Sequence, residues 1–230
     1  ERGSEVLTKV RISGGGRCNV THAEFIPNQL SLNYPRGEKE LLGPFHTFMT
    51  GDTMQWFEKK GIPLKIEEDG RIFPESNSSQ TIINCFIKEA ERLQIEVLKQ
   101  HPVKGIKNEK NNWLISTENK TFISRKVLVA TGSNPKIWNL LKVLGHSIIP
   151  PVPSLFTFNI NDSRIKDLPG VSTMAAVSVL SKEDTTKLNS EGPLLITHWG
   201  LSGPAILKLS AWGAVDLFDV NYQFKIKVNW

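Results

Sequence analysis

The sequence has 230 residues, 39% of them hydrophobic and 22% charged, which supports a soluble globular chain with a buried core. No run of about 18 apolar residues occurs, so no membrane span is expected, and two cysteines with five scattered histidines argue against a disulfide framework or a metal site. The net charge is +5, from 28 basic and 23 acidic side chains; this mild excess fits a solvated surface, an anionic cofactor or RNA, and selects none of them.

The polar start Glu1-Arg2-Gly3-Ser4-Glu5 carries no apolar leader. With Cys18 and Cys85 read as reduced thiols, a cytoplasmic location is expected. Val6 to Ser13 reads as an extended segment ending at Gly14-Gly15-Gly16, and Pro27, Pro35 and Pro44 break any pattern up to residue 44. Met54 to Lys60 reads as a short helix stopped by Gly61-Ile62-Pro63. A helix capped at Ser78 or Ser79 runs to about Leu93, with Ile82, Ile83, Phe86, Ile87, Ala90 and Leu93 at helical spacing.

The period then changes. Ile95 to Leu98 reads as a strand, and Val103 to Lys107, Trp113 to Thr117 and Thr121 to Ser124 as a three-stranded meander. Lys126 to Ala130 has the apolar middle of a buried strand. Ile137 to Leu144 follows as a helix, and Pro150-Pro151-Val152-Pro153 as a stiff linker. Beyond it, Leu155 to Ile160, Met174 to Leu180 and Pro193 to Thr197 are strand-like, Gly203-Pro204 opens a helix to about Trp212, and Tyr222 to Trp230 alternates as a strand. The expected architecture is an α/β domain over residues 1–150, with an antiparallel meander as crossover, and a mostly β domain over residues 151–230.

Ser13-Gly14-Gly15-Gly16-Arg17-Cys18-Asn19-Val20-Thr21 is the most informative stretch. Three glycines let backbone N–H groups converge on an anion, Arg17 adds a guanidinium fork suited to phosphate, and Asn19 and Thr21 add short polar arms. The same residues also suit a plain tight turn with a surface arginine. Ala130-Thr131-Gly132 closes the buried strand with small residues, as at the carboxyl edge of an open α/β sheet where ligands sit. Cys18 beside Arg17 lacks the histidine partner a nucleophilic thiol needs, so a non-catalytic thiol is the favoured reading. In Thr197-His198-Trp199-Gly200-Leu201-Ser202-Gly203-Pro204, His198 reads as an acid–base group or, preferably, as a structural residue, and Ser202 as a helix cap.

Taken as a set, these motifs resemble a known family. Ile12 to Thr21 is similar to the signature of the YhiN/BaiN-type bacterial flavoproteins, also called aminoacetone-oxidase-like or NAD(FAD)-utilising dehydrogenases. Gly70 to Pro74, Val127 to Gly132, Leu144-Gly145-His146, Pro153-Ser154-Leu155 and Thr197 to Ala205 follow in the family's order. The resemblance implies a Rossmann-like FAD-binding domain with a largely β domain inserted into it. It implies that Glu1 holds the adenosine ribose and that Ser13, Gly14, Gly15, Gly16, Arg17, Cys18, Asn19 and Thr21 line the pyrophosphate and flavin. By the same resemblance Val103 meets the adenine, and Ala130, Thr131 and Gly132 approach the pyrophosphate. A first strand with its Gly-x-Gly-x-x-Gly turn is expected before Glu1, and a return to the FAD domain after Trp230. Ser133 stands where the family often has a second glycine.

The expected function is therefore an FAD-dependent oxidoreductase that moves a hydride or electrons between reduced nicotinamide, NAD(P)H, and a small organic substrate. Two alternatives stand beside it: a flavin-fold protein that acts on or holds RNA, and a cofactor-free fragment. Composition argues against a membrane partner and gives no positive sign of nucleic acid. Substrate and oligomeric state are not encoded in any motif.

Overall fold

A computed structural model of the chain describes residues 1–180 and 188–230. The backbone divides into two units, Glu1–Ile148 and Ile149–Trp230.

In the first unit the chain runs through α1 (Thr8–Ile12), a tight turn at Ser13–Gly16, β1 (Thr21–His22), α2 (Pro27–Ser31), α3 (Glu38–Thr47), α4 (Thr50–Glu58), β2 (Leu64–Ile66) and β3 (Arg71–Pro74). It continues through α5 (Ser79–Arg92), β4 (Gly105–Glu109), β5 (Asn112–Ser116), β6 (Thr121–Ser124) and α6 (Pro135–Val143). Local chemistry explains the firm elements. The Ser78 hydroxyl accepts the Gln80 N–H at 3.3 Å and starts α5, and Asn134 caps α6 with Pro135 in its first turn. Asp52 accepts the Met49 N–H at 2.9 Å at the start of α4. Ile82 and Cys85 of α5 are buried with Phe57 of α4 and with Cys18. Two small antiparallel sheets complete the unit, in the orders β1-β3-β2 and β4-β5-β6.

Three sequence expectations are corrected here. Val6 to Ser13 is not extended: Thr8–Ile12 forms a helical turn, entered through Leu7 at φ 57°. Ile95 to Leu98 and Lys126 to Ala130 form no strand, and every strand pair among the described residues is antiparallel. The physical reason is common to both segments. Apolar, β-branched chemistry makes an extended segment, but a strand exists only where a neighbour takes its N–H and C=O groups. Residues 98–101 have such a neighbour in part: the Glu1 ammonium donates to Leu98 O at 2.8 Å, Gln100 N–H to Gly3 O at 3.0 Å and His101 N–H to Glu1 O at 2.9 Å. Val127 to Ala130 has no strand partner among the described residues, and Leu128 is 91% exposed.

Among its described residues the second unit is one five-stranded antiparallel sheet with two helices packed on it. Its elements are β7 (Phe158–Asn159), β8 (Ser172–Leu180), β9 (Asn189–Thr197), β10 (Gly200–Ser202), α7 (Pro204–Trp212), α8 (Ala214–Asp219) and β11 (Lys225–Asn229), in the sheet order β11-β8-β9-β10-β7. Alternation along β9 buries Ser190, Gly192, Leu194 and Ile196 on one face. Ile206 and Leu209 of α7 and Leu217 of α8 join Val177 and Leu194 in the core. The sheet curls. Its two outer strands are β11 and β7, yet Phe224, which leads into β11, meets Phe158 of β7 edge to face at 5.0 Å. Among the described residues no helix is long and apolar enough to cross a membrane.

Candidate functional site

The Ser13–Gly16 turn is built by three consecutive residues in the left-handed region: Gly14 at φ 55°, Gly15 at 67° and Gly16 at 83°. Their surroundings differ. A side chain at Gly14 would sit 2.7 Å from Asn19 N and 3.0 Å from the Phe73 ring, so Gly14 is required by inward packing. At Gly15 an added Cβ would meet nothing within 4 Å, and at Gly16 only Arg11 O at 4.0 Å. Left-handed backbone that glycine adopts without strain, facing open space at Gly15 and Gly16, leaves main chain that a ligand can approach.

The side chains beside the turn are fixed from behind. Arg17 lies 3.9 Å over the Phe73 ring and reaches Glu67 with both terminal nitrogens, at 2.6 and 3.5 Å. Arg71 reaches the same Glu67 at 3.7 Å and Asp69 at 2.7 Å. Two guanidinium groups therefore share the carboxylates of one hairpin, β2–β3. The Arg71 N–H and guanidinium hold the Asp69 carboxyl below its ordinary range. Asn19, with its amide nitrogen facing them, donates to Thr21 O at 2.8 Å and Ile72 O at 3.2 Å, and so ties the turn to the β1–β3 pair. Cys18, at φ 63°, turns its thiol into the apolar core with Phe57, Ile82 and Cys85. Only its backbone can face a ligand on the turn.

Two further groups of expected site residues come near one another. Lys9 of α1 places its ammonium 3.3 Å from where a Cβ on Gly132 would lie, so the exposed Ala130-Thr131-Gly132 segment borders the helix that leads into the glycine turn. Glu1 lies beside His101, two residues before the half-buried Val103. Gly3 N–H donates to Glu1 Oε1 at 2.7 Å and holds that carboxyl below its usual range. His198 belongs to the second unit. It stands exposed with Trp199 in the two-residue turn between β9 and β10.

That motif's glycines have packing reasons. At Gly200 (φ 145°) a Cβ would fall 2.1 Å from Phe158 O, and at Gly203 (φ 93°) 2.7 Å from Pro193 O. Thr197 Oγ donates to Gly200 O across the turn at 3.1 Å. Ser202 makes no side-chain cap on α7, contrary to its sequence reading; Gly203 is the cap residue.

Sequence reasoning missed Lys9, Glu67 and Phe73. The acidic run Glu67-Glu68-Asp69 directly before Arg71 was the available sign for Glu67, since charges that close on a hairpin pair across it. Lys9 carried no such sign.

The sequence matches the family model described as HI0933-like protein Rossmann domain over residues 1–226. It is 25% identical over 230 residues to the ribosomal RNA dihydrouridine synthase of Escherichia coli (strain K12), covering 96% of this chain and 56% of that protein. The Haemophilus influenzae protein of the same name is 25% identical over 224 residues, 91% of this chain and 54% of its own length. The 3-dehydro-bile acid delta(4,6)-reductase of Clostridium scindens is 23% identical over 237 residues, 100% of this chain and 56% of its own length. The chain thus spans about half the length of the curated relatives it matches. The motif resemblance from Ile12 to Ala205 and the family match agree: the chain belongs to the HI0933-like Rossmann-domain family.

Proposed function

We propose that this chain is part of a flavin-dependent reductase that saturates a carbon–carbon double bond conjugated to a carbonyl. The observation that carries the flavin part is the Ser13–Gly16 turn, whose Gly15 and Gly16 hold left-handed backbone toward open space, as a close-lying pyrophosphate or flavin edge requires. The donor set also fits FAD: Lys9 and the Gly132 segment lie next to the turn, and Glu1 and Val103 belong to neighbouring stretches where a ribose and adenine would rest. Bound there, FAD would supply a two-electron carrier able to take a hydride from reduced nicotinamide and give it to a substrate.

The substrate part rests on the relatives' names. Dihydrouridine is uridine with one ring double bond saturated, and a delta(4,6)-reductase acts on the double bonds of a 3-oxo steroid. Both are additions of a hydride and a proton to an alkene polarised by a carbonyl. In this chain Glu67 and Phe73 fix the Arg17 guanidinium beside the glycine turn, where its remaining N–H groups can donate to an anionic ring or phosphate. His198 is the candidate proton donor, on the strength of its exposure in a tight turn.

The test is spectroscopic. A form carrying this chain at the relatives' length is expected to be yellow, to bleach with NADH or NADPH without oxygen, and to recover colour with a conjugated enone. A colourless protein sinks the flavin reading, and a yellow one that recovers with no enone sinks the substrate reading. The 230-residue chain alone is expected to bind FAD weakly, because no helix N-terminus of eight or more residues backs the glycine turn among the described residues. Tight binding by equilibrium dialysis would place the cofactor elsewhere.

A further inference from the structure

We propose that Arg71 is a positioning residue for the cofactor side of the glycine turn: by sharing Glu67, it keeps that carboxylate from neutralising Arg17. The proposal rests on the flavin reading above and concerns the electrostatics of the same site.

The tip of the β2–β3 hairpin is firmly built. Glu67 N–H donates to Arg71 O and Gly70 N–H to Glu67 O, both at 2.9 Å. Gly70 makes the turn at φ 81°, and a Cβ there would lie 2.7 Å from the His22 ring. His22 Nε2 in turn donates to Asp69 O at 3.2 Å. Backbone hydrogen bonds and packing from β1 therefore hold Glu67, Asp69 and Arg71 in place. Arg71 is aimed from within the tip: the Asp69 carboxylate accepts from its backbone N–H at 3.2 Å and from its Nε at 2.7 Å. Arg71 and Phe73 are two apart on β3 and so share a face. The Arg71 guanidinium lies 5.4 Å from the centre of the ring over which Arg17 lies at 3.9 Å.

The two Glu67 oxygens serve different partners. Oε1 accepts from Arg17 Nη1 at 2.6 Å, whereas Oε2 stands 3.5 Å from Arg17 Nη2 and 3.7 Å from Arg71 Nη2. Arg17, Arg71, Glu67 and Asp69 together carry no net charge. Without Arg71 the cluster is net negative, and Glu67 has Arg17 as its one remaining ion-pair partner. Oε2 is then free to close the second arm of a two-pronged pair with Arg17. Arg17 would offer fewer free N–H groups, and less positive charge, to a phosphate or flavin oxygen. The effect is modest, because the Arg71 side chain is 45% exposed and water screens its pairing.

The experiment is a double-mutant cycle in a form carrying this chain at the relatives' length, read by flavin titration and by the flavin midpoint potential. Arg71→Gln is expected to weaken FAD binding by about 3- to 5-fold, the scale of a half-exposed ion pair, and to make the potential more negative. Glu67→Gln removes the carboxylate through which Arg71 acts, and in that background Arg71→Gln is expected to change neither quantity. Asp69→Asn loosens Arg71 without removing it and is expected to act in the same direction, more weakly. It carries the same cycle if urea midpoints show that Arg71→Gln does not fold. Losses that persist undiminished in the Glu67→Gln background would mean that Arg71 acts on the cofactor directly or through the fold, and would overturn the proposal while the flavin reading stands. Unchanged or tighter binding in Arg71→Gln and Asp69→Asn would overturn it likewise. A colourless longer form would overturn both readings together.

Discussion

Gly200 and Gly203 stand three residues apart in the motif around His198, which reads preferably as structural, and both are dictated by packing. Alanine at Gly200 would place its Cβ against the backbone of β7, 2.1 Å from Phe158 O and 2.6 Å from Ile160 N, at a φ of 145°. We expect Gly200→Ala to cost about 3 kcal/mol or more, through strain and loss of the β10–β7 pairing. Gly145→Ala is the control: its φ of 92° is strained but its surroundings are open, so it should cost only about 1–2 kcal/mol. Urea midpoints of the two variants measure the difference, and equal losses would remove the packing explanation. With the glycines accounted for, His198 and Trp199 are the members of the turn that packing leaves free for a ligand. Arg17 and Cys18 divide in the same way. Cys18→Ser buries a hydroxyl among Phe57, Ile82 and Cys85 and should cost about 1–3 kcal/mol of stability with little effect on flavin affinity. Arg17→Ala should weaken FAD binding by about 1.5–3 kcal/mol in a form at the relatives' length. Flavin titration of both variants checks this, and the opposite ranking would move the phosphate contact away from Arg17.

At the scale of elements, α4 and α5 are held together by more than apolar contact. Lys60, just past α4, pairs with Glu89 of α5 at 2.5 Å, and Arg92 donates to the same carboxylate at 2.9 Å. The hydrogen bonds from Arg92 and then Lys60 lower the Glu89 carboxyl to about 2. A carboxyl depressed in the folded state stabilises above its unfolded value, about 4.3, and that contribution fades as pH falls from there through about 2. Glu89→Gln should therefore flatten the loss of stability between about pH 4.5 and pH 2 while leaving its slope above pH 5 unchanged. Urea midpoints measured across that range decide it; an unchanged acid limb in the variant would mean the pairs contribute nothing. These helices were legible because their signals are local: Ser78 at the start of α5, Gly61-Ile62-Pro63 after α4, apolar residues three and four apart. The meander was legible for the same reason, since Asn111-Asn112 and Glu118 to Lys120 read as turns between alternating segments, although the first turn is Lys110-Asn111 and Asn112 already opens β5. The segments at Ile95 and Val127 carry equally good strand chemistry, but pairing is a property of two segments and only one is written at that position. The glycine turn was found at once, whereas its partners Lys9, Glu67 and Phe73 depend on contacts across sheet and helix that no spacing announces.

The whole chain divides its charge as it divides its architecture. Residues 1–148 carry all of the +5 excess, together with the glycine turn and Lys9, while residues 149–230 carry seven basic and seven acidic side chains. We expect the two units to behave as separate folding domains. Each has its own buried cluster, around Ile82 and Phe57 in one and around Leu194 and Ile206 in the other. Neither helix nor strand lies between Val143 and Phe158, and Ile149 and Leu155 in that stretch are 88% and 65% exposed. The prolines at 150, 151 and 153 keep it extended and deny it backbone donors, and it joins none of the three sheets. A broad-specificity protease at low dose should cut first between residues 146 and 156, leaving two resistant pieces, and calorimetry should show two transitions for the intact chain. First cleavage inside β5 or α7, or a single cooperative transition with calorimetric and van't Hoff enthalpies equal, would mean that the two units fold as one.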